Sequence, residues 1–435
     1  MNFISKYAQF LWKQKTHKKI TIIGRKSKLK KTKIITLLLT VVMVTGIIAA
    51  CAGDTPAPET PAPEAPAPEA PAPEAPAPEA PAETPETEGL RFDGIFVEAG
   101  EVLATGPRGE TAFPADQLYL SDEEIEEIRA GGYTAALVFH YEGSDWARAQ
   151  EMGLRYQFDK MGIEVVAVTS AGFSAEQQVS DIETVMALNP DIIVSIPVDP
   201  TATADAYQRA ADAGIILVFM DNVPDGLVAG VDYVSVVSAD NVGNGVVAAR
   251  IMGQALGGEG QIGVIYHDAD FFVTNQRVDG FEATIRDEFP GIEIVDRGGF
   301  QDPHAVGGVA DAILTRSPDI DGIFANWDAP AEAVVASAIA AGREDLVITT
   351  VDLGDNVARL IAERNMIAGL GAQLPFHQGV AEAILAGFGL LGREAPPYVA
   401  VPAMPVFFEN LIEAYEKVYN VPAPSWLVDV HNANR

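Results

Sequence analysis

The sequence predicts an α/β fold made of two doubly wound lobes, each a parallel, Rossmann-like sheet covered by helices. Three observations carry that expectation. From Tyr133 onward, apolar runs of strand length alternate with amphipathic stretches of helical length. The runs are hydrophobic and bounded by helices, as parallel strands covered on both faces are. The alternation continues for ~270 residues, more than one doubly wound sheet uses. A single closed (β/α)8 barrel is the rival that periodicity alone leaves open.

The elements follow in order. A strand at 134–140 (TAALVFH) leads to a helix at 145–161, then a strand at 164–170 and a helix at 175–188. DIIVSIP (191–197) is the next strand, a helix spans 201–213, and GIILVFMD (214–221) follows. VSVVSA then runs into Asp240 and a helix at 241–256. Later strands are expected at 261–267, 292–298, 321–327, 345–351 and 367–373, with helices at 275–288, 304–316, 328–342, 355–364 and 376–390. Ahead of this array, Ser121 to Glu124 fits a capping box that opens a helix at 122–130, stopped by Gly131-Gly132. Residues 91–118 read as irregular or edge structure. A last amphipathic helix is expected at 407–419 and a tail at 421–435.

The first 89 residues are of another kind. Residues 1–33 hold 11 basic residues and no acidic one, and Ile34 to Ala50 is an uncharged apolar run of 17. The run ends in small residues, as secretory signals do. Residues 52–89 repeat PAPEA, with nine acidic residues and no basic one. Proline and like charge favour an extended tether, reaching on the order of 100 Å. The domains expected are a signal peptide at 1–50, the anchor and tether at 51–89, an extension at 90–131, and the two lobes beyond.

Charge and composition exclude several functions. The formal net charge is −32, and beyond residue 51 it is −43. So acidic a body repels phosphate backbones, and no nucleic-acid partner is expected. One cysteine leaves no disulfide framework and no multi-cysteine metal site. The chain holds no G-x-S-x-G, H-E-x-x-H or P-loop pattern, so no catalytic residue, metal or cofactor is expected and the protein does not read as an enzyme.

Polar and aromatic residues cluster just past the strand C-termini, where open α/β sheets bind ligands. They are Ser144, Asp145, Trp146, Asp199, Asp221, Asn222, Asn241, Asn275, Arg277, Trp327, Asp328, Asp352 and Gln373. Carboxylates and amides serve several hydroxyls at once, and indole faces stack on the C–H side of a sugar ring. With one arginine among them, the set suits a neutral sugar or polyol rather than an anion. Aspartate at a strand end is also the usual helix N-cap. Capping is the favoured role for Asp145, and Asp199, Asp240 and Asp328 divide evenly between the two roles. Phe271 and Phe272 read as core.

These segments together resemble the type I periplasmic binding proteins, specifically the ribose/galactose-type sugar-binding subunits of ABC importers. The resemblance covers roughly 132–405 and is carried by SDW (144–146), PDIIVSIPVDP (190–200), GIILVFMDNVP (214–224), VSADNVGNG (237–245), NQRVDGF (275–281), SPDIDGIFANWD (317–328), VITTVD (347–352) and GAQLP (371–375). It implies a stacking aromatic at Trp146, binding aspartates at Asp221 and Asp352, an arginine at Arg277 and a hinge glutamine at Gln373. Where the family commonly has arginine, amide and arginine, this chain has Asn222, Trp327 and Asn275, so ribose itself is not the expected ligand. The resemblance also implies three hinge crossings near 238–241, 372–375 and 402–405, with lobe 1 at 132–238 plus 374–402 and lobe 2 at 239–373 plus 403–435. Ile48-Ala49-Ala50-Cys51 resembles a bacterial lipobox, which implies lipidation of Cys51 and a place on the outer face of the cell membrane.

The expected function is an extracytoplasmic, lipid-anchored, monomeric solute-binding protein that delivers its sugar to an ABC permease. Two alternatives share the sequence features: a receptor subunit signalling to a membrane kinase or chemoreceptor, and a secreted carbohydrate-active enzyme with paired carboxylates.

Overall fold

Ser121 opens the first helix with a full capping box: its hydroxyl accepts from Glu124 N at 3.2 Å, and Glu124 accepts from Ser121 N at 2.7 Å. From there strand and helix alternate to the end of the chain in a computed structural model that describes residues 102–269 and 271–435. The expected signal peptide, Cys51 and the tether lie outside the described residues.

In chain order the elements are β1 (Phe113–Pro114), α1 (Asp122–Gly131), β2 (Thr134–Phe139), α2 (Asp145–Lys160), β3 (Glu164–Ser170), α3 (Ala175–Met186), β4 (Ile192–Ser195), α4 (Ala204–Asp212), β5 (Ile216–Met220) and β6 (Ser235–Ala239). Then come α5 (Asn241–Ala255), β7 (Glu259–His267), α6 (Phe272–Glu288), β8 (Gly291–Phe300), α7 (Val306–Arg316), β9 (Gly322–Ala325), α8 (Asp328–Ala341), β10 (Val347–Val351), α9 (Asp355–Ala362) and β11 (Ile367–Ala372). The chain closes with α10 (Pro375–Leu390), β12 (Tyr398–Val401), β13 (Met404–Val406), α11 (Leu411–Tyr419) and α12 (Ser425–Ala433).

The strands form two sheets, which sets the single-barrel alternative aside. One has the order β1-β12-β6-β5-β4-β2-β3 and the other β13-β11-β10-β9-β7-β8. All pairs are parallel except β13 on β11. Strands β2, β4, β6 and β12 are buried along nearly their whole length, as strands covered on both faces must be. Both sheets wind alike. In the first lobe β2 sits between β3 and β4, and in the second β7 sits between β8 and β9, so winding reverses at β2/β4 and at β7/β9. Such switch points open a crevice beyond the strand C-termini. The chain passes between sheets from β6 into α5, from β11 into α10, and from β12 into β13.

The two helices that begin at crossings pack backbone to backbone on a neighbour: α10 on α2, which follows β2, and α5 on α6, which follows β7. A Cβ on Gly153 of α2 would lie 2.0 Å from the Phe376 carbonyl oxygen, and one on Gly245 of α5 would lie 2.1 Å from the Arg277 carbonyl oxygen. Only glycine permits that approach. The contact locks the N-terminal halves of α2 and α6 over the strand ends, and those halves carry Trp146 and Arg277.

Two expectations need correction at the chain end. Residues 421–435 are not a tail: α12 buries Leu427 and His431, and Arg359 lies 4.4 Å over the Trp426 ring. Strands β12 and β13 were not expected at all. Both are short and flanked or interrupted by prolines, which mark edges and breaks. The extension before α1 also does more than edge a sheet. Leu103 N and Ala104 N both donate to the Asp240 carboxylate at 2.9 Å, and Gln276 Nε2 of α6 donates to Thr105 O at 2.9 Å. Arg108 reaches the carbonyls of Leu227 and Pro224. This strap therefore touches the first crossing, the second lobe and the first lobe in turn.

Candidate functional site

Six polar side chains form a continuous chain of hydrogen bonds where the strand ends of both lobes meet the crossings. Ser238 Oγ donates to Asp221 Oδ1 at 2.7 Å, and Asn241 Nδ2 donates to Ser238 Oγ at 3.0 Å. Arg277 Nε donates to Asn241 Oδ1 at 2.8 Å, and Arg277 Nη1 lies 3.3 Å from Asp352 Oδ2. Gln373 Nε2 donates to Asp352 Oδ1 at 2.7 Å. Asp221 ends β5, Asp352 ends β10, Ser238 and Asn241 flank the first crossing, and Gln373 sits in the second. Both aspartates hold left-handed backbone, with φ of 56° and 72°. That conformation is costly for a residue with a Cβ and is characteristic of constrained sites.

The electrostatics are lopsided. Asp221 is 4 % exposed and Arg277 is 5 % exposed. Burial pushes the Asp221 carboxyl up to about 6, against the pull of the Ser238 hydrogen bond and the Arg277 charge. Burial, and then the neighbouring Asp352 carboxylate, hold Asp328 well above the usual carboxylate range. The Arg277 guanidinium thus pairs with Asp352 and draws on Asp221, while Asp328 has only carboxylates as charged neighbours.

Aromatic rings flank this chain. In the first lobe His140, at the end of β2, meets Trp146 edge-on at 5.9 Å. In the second lobe Trp327 packs on Phe300 at 5.0 Å and on His267 at 5.5 Å. The two groups meet where His140 stacks on Phe271 at 6.5 Å. Phe271 was expected as core; it is half-buried and stands at this junction. Burial lowers His140 to about 4, so its imidazole is neutral at pH 7. Trp146 Nε1, Gln373 Oε1 and Asn326 Oδ1 are buried without hydrogen-bond partners. They are free to serve a ligand.

The remaining expected site residues divide. Ser144 is the N-cap of α2, its Oγ accepting from Ala147 N at 3.1 Å. Asp145 is therefore not the cap: its Oδ2 accepts from Asp355 N of the second lobe at 2.9 Å and latches lobe to lobe. Asn222 turns back to donate to Pro197 O at 3.2 Å. Asp328 opens α8 beside Trp327. Two residues stand apart. Asp199 is exposed and caps its own turn, accepting from Thr201 N at 2.9 Å and Ala202 N at 2.8 Å. Asn275 is exposed and lines a separate open depression of about 480 Å³ with Asp268, Asp279 and Arg297. Sequence reasoning missed Ser238, Asn326, His140 and Phe300 as site residues. All four lie at strand C-termini, which is the signal that could have found them.

Among the described residues no three His, Cys, Asp or Glu side chains are grouped to hold a metal, and no helix is long and apolar enough to cross a membrane. What the arrangement can do is bind. Its acceptors outnumber its donors, which suits a ligand that brings hydroxyl protons, and its half-buried rings supply flat apolar faces.

Two like-wound lobes, three crossings and a polar chain at facing switch points define a two-lobed ligand-binding protein. Residues 135–386 match the family described as periplasmic binding protein domain, and the chain belongs to that family. It is 28% identical over 207 residues to a putative rhizopine-binding protein of Rhizobium meliloti, covering 46% of this chain and 66% of that one, a little under two thirds of its length. It is 26% identical over 252 residues to a ribose import binding protein of Bacillus subtilis, covering 58% of this chain and 79% of that one. Among solved structures, an ABC transporter solute-binding protein from Actinobacillus succinogenes with bound D-allose aligns at 25% identity and a TM-score of 0.59, over 64% of this chain and 99% of that one. One from Agrobacterium vitis, bound with α-D-tagatopyranose, aligns at 22% identity and a TM-score of 0.61, over 67% and 100%.

Proposed function

We propose that this protein is a lipid-anchored, extracytoplasmic receptor that captures a neutral sugar or polyol between its lobes and delivers it to an ABC permease. One observation carries the reading: an acceptor-rich hydrogen-bond chain from Asp221 to Gln373 runs through both lobes, flanked by Trp146 and Trp327. The ribose import binding protein and the putative rhizopine-binding protein among its relatives, and the D-allose bound in one similar structure, support it. The ligand is held by Trp146 and Trp327 on its C–H faces and by Asp221 and Asp352 at its hydroxyls, and is released unchanged.

The test is calorimetric titration with D-ribose, D-allose, myo-inositol and glycerol. Trp146→Ala is expected to cost about 2 kcal/mol of binding, roughly a 30-fold rise in Kd, as loss of a buried aromatic anchor does. A change of less than about twofold would remove Trp146 from the site. The anchor is tested separately. Cys51→Ser is expected to move the protein from the membrane fraction to the soluble fraction, because Cys51 is the only cysteine in the chain. Retention at wild-type level would show a different anchor.

A further inference from the structure

We propose that helix α11 is one wall of the ligand cavity, and that Tyr419, backed by Val418, sets the size of ligand the cleft accepts. The inference rests on reading the cleft as a polyol site. It concerns a part of the chain that the family match at 135–386 does not cover.

α11 buries Leu411, Ala414, Tyr415, Val418 and Tyr419, the i, i+3, i+4, i+7, i+8 stripe of a helix docked on one side. It is pinned to both lobes. Toward the second, Tyr415 Oη donates to Asp355 Oδ1 at 2.7 Å and Tyr419 Oη donates to the Leu353 carbonyl, both just past Asp352. Toward the first, the Lys417 carbonyl lies 3.1 Å from His377 Nε2 at the start of α10. A carbonyl can only accept, so Nε2 carries the proton there. The Arg148 guanidinium of α2 lies 5.9 Å over the Tyr419 ring.

Between these attachments lies a small, partly open cavity of about 10 Å³, whose lining includes Trp146, Asp328, Asp352 and Gln373 together with Val418 and Tyr419. That is room for about one water. A ligand seated on Asp352 and Gln373 therefore meets Tyr419 with nothing spare between them. Tyr419 is 3 % exposed and tied through its hydroxyl to the backbone beside Asp352. It cannot swing aside without losing that bond, so the wall is fixed and its side chains decide the length of the space.

The experiment compares wild type with Val418→Ala, Tyr419→Leu and Val418→Phe in calorimetric titrations against glycerol, D-ribose, myo-inositol and maltose. Trimming the wall is expected to improve the larger ligands over the smaller by about tenfold or more, as changes of pocket volume do. Val418→Phe is expected to shift preference toward glycerol. If Tyr419→Leu fails to fold, the two Val418 variants still decide the matter. Affinity ratios that stay within about twofold of wild type in every folded variant overturn the wall, while loss of binding in Trp146→Ala keeps the polyol reading. If wild type binds none of the panel, the polyol reading falls and the wall falls with it.

Discussion

Replacing Arg277 by methionine is expected to lower the free energy of unfolding by about 3–5 kcal/mol, the usual result of removing one member of a buried ion pair. The side chains of Arg277 and Asp352 are only 6% and 12% exposed. Arg277 pairs with Asp352 and draws on Asp221, and its Nε and Nη1 also serve Asn241 and the Asn326 carbonyl. Without it Asp352 keeps only the Gln373 amide, at 2.7 Å, inside a cluster of like charges. Methionine fills most of the volume, so the loss reads the charge rather than a cavity. The double variant Arg277→Met/Asp352→Asn should recover much of the loss, because the stranded charge goes with its partner. Denaturant unfolding of the three proteins decides. A single variant within about 1 kcal/mol of wild type would mean that the pair carries little.

Asp221 is expected to make stability fall as pH rises through about 6. Its carboxyl is lifted from an ordinary value of 3.8 to about 6 in the folded protein, chiefly by burial. A folded value above the unfolded one means that the native state keeps a proton the unfolded chain has already lost. The resulting stabilisation is fully present below 3.8 and is lost as pH climbs past 6, with an amplitude of about 3 kcal/mol. Other groups titrate in the same range, so the measurement is the difference between wild type and Asp221→Asn at pH 4, 5, 6 and 7. That difference should shift against wild type by about 2.5 kcal/mol over the series. A difference constant within about 0.5 kcal/mol would show that Asp221 is not held away from water. Ligand affinity should run the other way, weakening as pH drops below about 6, because protonation turns one acceptor oxygen of Asp221 into a donor.

The alternation of strand and helix was legible because burial on both faces makes each parallel strand a local apolar run, as at Ile192–Ser195 and Val347–Val351. Asp221, Arg277, Asp352 and Gln373 were singled out by strand ends and the family pattern, and the structure brings them into one chain of bonds. How they connect was not. The chain of bonds joins Asn241 to Arg277 across 36 positions and Arg277 to Asp352 across 75, and no local pattern encodes such pairings. Asp145 shows the same limit. Aspartate after a strand reads as a helix cap, but the Ser144 hydroxyl reaches the Ala147 amide first, leaving Asp145 for the other lobe. The helix at Ser425–Ala433 was missed because it buries only Leu427 and His431, too few positions to mark an apolar face.

The strap at Leu103 to Thr105 has a mechanical consequence. Where the described chain begins, the backbone is fastened to Asp240, at the first passage between lobes, and to Gln276 just beyond it. Were the lobes to swing about the three passages between them, a pull at this end would act close to that axis, with a short lever arm and little torque on either lobe. Fastened instead at the far end of either lobe, the same tension would bias that lobe outward or inward at every cycle.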